Sequence, residues 1–197
     1  MATVLVQAKS RTLPLLLKFT DIRSYVIAAV FIALDVLVPR LFHMFQLAGA
    51  TYLPMHIFVL LAGLLFGWRA GLIVGLFTPV ASFAVSGMPV ARILPQITVE
   101  LATYGVVAGL LREKLNLRTV WSLLGAMVAG RIALLAMVFI ISIITGTIFS
   151  PLGAASVPWL AVRDAVKQGL PGIIIQLALL PAIVLIVEKM TARKKTV

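Results

Sequence analysis

The sequence predicts an all-α integral membrane protein with six transmembrane helices and both termini on the cytoplasmic side. Three observations carry this expectation. Apolar residues make up 62% of the chain and charged residues 12%, which leaves too few polar groups to clothe a water-soluble core. Several apolar runs approach the ~20 residues that cross ~30 Å of hydrocarbon. The basic residues gather in the short segments between those runs, where the positive-inside rule places them. The net charge of +11 therefore reads as membrane topology and not as nucleic-acid binding, since no basic-aromatic stripe accompanies it. With no cysteine in the chain, disulfides and thiolate metal sites are excluded.

Residues 1–20 carry Lys9, Arg11 and Lys18 around an apolar stretch too short for a signal-peptide core, and read as a cytoplasmic arm lying on anionic headgroups. The membrane domain is expected over residues 21–188 and a basic cytoplasmic tail over 189–197. Span one covers 22–38 and stops at Pro39, followed by a loop with His43, Gln46, Gly49 and Tyr52. Span two, 54–66, is short for a full crossing, so it is expected to be thinned, tilted or partly covered by that loop. Span three runs from the turn at Gly67 to about Val85, and the Gly87, Met88, Pro89 turn opens span four, 93–111. The polar residues 112–118 form an exposed inner loop before span five, 120–144, and span six covers 165–187. Twelve Lys and Arg then fall on the inner side and four on the outer, with Arg131 left inside span five. That asymmetry predicts N-in, C-in.

Small residues recur at four-residue spacing: Gly63, Gly67, Gly71 and Gly75, then Gly105 and Gly109. In lipid, apolar burial gives no net drive, so faces of small residues let backbones approach and gain dispersion contacts. Packing within one bundle is the plain expectation for these glycines. Ala29 and Ala33 make a similar face on span one, suited either to internal packing or to another membrane subunit.

Ionisable residues inside a span are costly and usually face the bundle interior. Glu100 on span four and Arg131 on span five each lie twelve residues from the inner boundary, roughly 18 Å at 1.5 Å per residue. Gln176 on span six has the same count, and Asp35 and Ser82 come only slightly higher. One polar layer shared by five helices is expected, with Glu100 paired to Arg131. Gln96, Glu100 and Tyr104 share a face of span four. His43 and His56 lie towards the outer mouth. The candidate binding residues are therefore Gln96, Glu100, Tyr104, Arg131, Gln176, His56 and His43. No phosphate loop, H-E-x-x-H pair or G-x-S-x-G elbow is present, so ATP hydrolysis by such a loop and metal or nucleophilic catalysis have no support, and no cofactor is expected.

Four blocks in order carry a family resemblance: Pro54 to Gly63 with Leu65, Phe66, Gly67 and Trp68; Ala70 to Gly75 with Thr78 and Pro79, then Gly87, Met88 and Pro89; Glu100 to Gly105 with Gly109, Leu110 and Leu111; and Gly130 with Arg131. They resemble the substrate-binding (S) components of energy-coupling factor (ECF) vitamin transporters. The resemblance implies an S-component-like bundle in a prokaryotic plasma membrane. Such a subunit captures a vitamin or related small polar solute from outside. It delivers the solute inward with a separate transmembrane coupling subunit and two cytoplasmic ATPases. By the same resemblance Ala29 and Ala33 match the family's docking element for the coupling subunit. A stand-alone secondary permease or channel is the alternative, although the two halves show no convincing inverted repeat.

Overall fold

The computed structural model describes residues 20–45, 49–150, 152–154 and 156–194. Nearly all of them are helical. In order the elements are α1 (Ile22–Met44), α2 (Gly49–Tyr52), α3 (Met55–Phe66), α4 (Trp68–Ser86), α5 (Leu94–Glu113) and α6 (Thr119–Thr145). A two-residue antiparallel hairpin, β1 (Phe149–Ser150) and β2 (Gly153–Ala154), then leads into α7 (Pro158–Lys194). Among the described residues six helical stretches are long and apolar enough to cross a membrane, with α2 and α3 together making the second. The arm over 1–19, Gln46 and the end of the tail lie outside the described residues.

Helix α3 is the centre of the bundle. Eight of its twelve residues are buried, including every position from Val59 to Leu65, and α1, α4, α5 and α7 surround it. A helix apolar all round is stable only when it is enclosed or faces lipid. The outer helices show the second case. On α6, Val128, Ile132, Phe139, Ile143 and Ile144 are exposed, while Leu123, Met127, Gly130, Leu134 and Val138 turn inward at three- and four-residue spacing. α7 does the same through Ala165, Gly169, Gly172, Gln176, Leu180 and Val184. On α1, Ser24, Ala28, Asp35 and Pro39 are buried, whereas Ala29 and Ala33 are exposed beside Tyr25, Val26, Val30 and Leu37.

Glycines set how closely the central helices approach. A Cβ built on Gly71 would collide with the backbone of Gly105, and the reverse holds equally. Gly63 meets the Gly105 carbonyl in the same way, Gly75 the backbone of Leu101 and Ala102, and Gly109 that of Trp68. The four-residue glycine spacing thus marks the seam that joins α3, α4 and α5, as expected for packing within one bundle. At Gly67 the backbone itself demands glycine: its φ of 92° lets α3 end and α4 begin with one residue between them.

Four boundaries differ from the sequence reading. α1 continues through Pro39 to Met44, because in a membrane helix neighbouring helices and local adjustments absorb the missing N–H. Span two is completed by the single turn α2. It joins α3 through Leu53, a non-glycine residue at φ 51°. α7 starts at Pro158 and not at 165, so Arg163 and Lys167 occupy its exposed first turns. Finally, residues 112–118 are not a uniformly exposed loop. Arg112 is 2% exposed and hydrogen-bonds Thr119 and Glu188. The Glu113 carboxylate lies 3.6 Å from Arg69 and is 9% exposed. These charges are drawn inward because each finds a partner at the ends of α4, α6 or α7.

Candidate functional site

Gln96, Glu100 and Tyr104 stand on successive turns of α5 and are 0%, 1% and 2% exposed. Glu100 is the hub. Its Oε1 accepts from Arg131 Nη1 at 2.8 Å and from the Tyr104 hydroxyl at 3.2 Å. From α3, His56 brings Nε2 to 4.0 Å from the same oxygen. Its ring meets that of Tyr104 edge-on, with centroids 5.1 Å apart. A side chain at Gly130 would lie within 2.8 Å of the Tyr104 ring carbons. The missing side chain therefore lets that ring rest on α6 and brings Arg131, the next residue, within reach of Glu100. The expected ion pair is formed, and the Gly130, Arg131 dipeptide has a mechanical reason.

The cluster holds unused hydrogen-bonding capacity. Both nitrogens of His56, Oε1 of Gln96, and Nε and Nη2 of Arg131 are buried without a partner among the described residues. Each unmade buried hydrogen bond costs about 1–3 kcal/mol. These atoms leave donors and acceptors at one place that a guest molecule can engage. As a neutral imidazole His56 offers one donor and one acceptor, Gln96 offers an acceptor, and the guanidinium two donors. The Glu100 and Arg131 charges cancel. This arrangement can grip a small polar molecule. Among the described residues no three His, Asp or Glu side chains gather as metal ligands.

The remaining candidates do not join one layer. Gln96 Nε2 donates to the Phe149 carbonyl at 2.9 Å, and the Arg92 guanidinium sits over the Phe149 ring at 4.9 Å. Together they tie the β1–β2 hairpin to the start of α5. Gln176 Nε2 donates to the Leu53 carbonyl at 3.0 Å, holding the α2–α3 joint against α7. Asp35 forms a separate cluster, accepting from Thr78 Oγ1 and the Phe58 N–H at 3.3 Å each. Ser82 is buried on α4. Equal residue counts from the inner boundary do not translate into contact, because helices of unequal length tilt and slide past one another. His43 falls in the last turn of α1, and its side chain lies outside the described residues. Sequence reasoning missed Arg112, whose position beside a loop disguised it.

Residues 23–184 match the family described as ECF transporter, substrate-specific component. The chain belongs to that family. No curated protein and no solved structure matches it. As an S component the protein is a substrate-binding transport subunit and not an enzyme; ATP hydrolysis belongs to its partners. Those partners are the ECF coupling subunit and the ATPases. The S component is a multi-pass membrane protein, and its polar cluster lies between α3, α5 and α6.

Proposed function

We propose that this S component captures a vitamin or related small polar solute outside a prokaryotic cell and delivers it inward. The solute is held at the cluster of Glu100, Arg131, His56 and Tyr104, with Gln96 one turn away on α5. The chain sits N-in, C-in, a reading that the distribution of its basic residues supports. One observation supports this reading above the rest: five polar atoms of His56, Gln96 and Arg131, unpartnered among the described residues, are buried in or one turn from the cluster. Gln176 acts by positioning the α2–α3 joint. Ala29 and Ala33 dock the coupling subunit, and their exposure on α1 leaves them open to it.

Native mass spectrometry of the detergent-purified protein is expected to show a co-purifying small molecule. Uptake into proteoliposomes is expected only when the coupling subunit and ATPases are also present. Transport by the isolated chain would overturn the subunit reading in favour of a stand-alone permease.

A further inference from the structure

Arg131 uses only part of its guanidinium. Nη1 is engaged by Glu100 at 2.8 Å, while Nε and Nη2 have no partner among the described residues. These last two nitrogens form the side edge of the group, where two N–H bonds run parallel as a fork. α7 passes this edge at Gly169, where even a built Cβ would lie 3.5 Å from Nη2 and 2.9 Å from Leu53 Cδ1. Having no side chain, Gly169 itself does not cover the fork.

Charge decides what the fork takes. A carboxylate fits the geometry but would bring a second anion beside Glu100, whose charge already cancels that of Arg131. An uncompensated charge inside the membrane is expensive. A neutral molecule with two adjacent acceptors satisfies both N–H groups and leaves the site electroneutral. Such a pair on a planar ring is a carbonyl oxygen next to an unprotonated ring nitrogen, the same edge that arginine reads bidentately on guanine. The edge-on rings of His56 and Tyr104 suit a flat, aromatic guest. The unpartnered Gln96 Oε1 can accept from a ring N–H.

Resting on the cluster as the substrate site, we propose that the ligand is an uncharged planar heterocycle presenting a carbonyl oxygen beside a ring nitrogen acceptor. Arg131 binds this pair through Nε–H and Nη2–H while Nη1 stays on Glu100. The test is thermal stabilisation and equilibrium binding of the purified full chain. Hypoxanthine and lumazine are the neutral probes, their carbon analogues 7-deazahypoxanthine and 5-deazalumazine the matched controls, and nicotinate and pantothenate the carboxylates. At least one neutral probe is expected to bind, and its carbon analogue to bind at least about tenfold more weakly, since one N–H is then left unpaired. Arg131→Lys, which keeps the charge and loses the fork, should abolish that discrimination. The matched ligands test the idea on the unmodified protein even if this variant fails to fold. Binding of no neutral probe, equal binding of a probe and its carbon analogue, or binding of carboxylates alone would overturn the proposal. A carboxylate whose binding depends on Arg131 would remove only the ligand class. A bound ligand indifferent to both Arg131→Lys and His56→Asn would remove the site itself.

Discussion

Glu100 Oε1 is shared by Arg131 and Tyr104, with His56 close by, so a change at this one carboxylate reaches three helices. Glu100→Gln strands the Arg131 charge in the membrane, and breaking a buried pair costs about 3–5 kcal/mol in soluble proteins. Thermal unfolding in detergent should show a loss of that order. Asp164→Asn, at a half-exposed carboxylate, should stay within about 0.5 kcal/mol. Glu113 is a poor reference, because Arg69 and the Trp68 N–H both engage its carboxylate. A double-mutant cycle with Arg131→Gln adds a sharper reading: the double variant should be less damaged than the sum of the singles. Additive losses in solute affinity at unchanged stability would show that each residue contacts the solute independently. Glu100 and Arg131 were legible in the sequence because a charge in mid-span has few ways to be satisfied. Arg112 was not, since a basic residue at a span boundary normally reaches water, and only the fold shows Glu188 and Thr119 waiting for it.

At the scale of helices, the seam of glycines replaces the apolar drive that lipid removes. Gly105→Ala places a methyl group against the backbone of Gly71, and backbone cannot move aside as a side chain can. The helices must part, at a cost of about 1–3 kcal/mol or more. Gly125→Ala meets only the side chain of Leu111, whose rotation relieves the contact. The expected order is therefore a clear fall in melting temperature for Gly105→Ala and little change for Gly125→Ala. Equal effects would mean that the seam is looser than its geometry. The four-residue spacing makes this seam legible in the sequence, since few other uses exist for repeated glycine in a membrane helix. Helix ends were less legible. Pro39 lies inside α1 and Pro171 and Pro181 lie inside α7, because tertiary packing overrides the local preference of proline. The α2–α3 joint was also hidden. Its stability depends on Gln176, 123 positions further along the chain, a contact no local pattern encodes.

Over the whole molecule, the two faces of α1 differ in what they meet. The inner face carries Asp35, bound to α3 and α4 through Phe58 and Thr78. The outer face carries Ala29 and Ala33, exposed among larger apolar side chains. The small side chains form a shallow trough that a partner helix can enter closely, gaining the dispersion contacts on which membrane association depends. Ala29→Trp or Ala33→Trp fills this trough without touching the Glu100 cluster, which lies between α3, α5 and α6. Solute binding by the isolated protein should be unchanged, while uptake by the complete transporter should fall to background. Val128→Trp, on the exposed surface of α6, controls for the insertion of a bulky ring facing lipid and should leave both activities intact. Co-purification with the coupling subunit locates the defect: complex recovery should be lost for the two α1 variants and kept for the α6 variant. Normal assembly and uptake by both α1 variants would mean that this face meets lipid alone and that coupling runs through another helix.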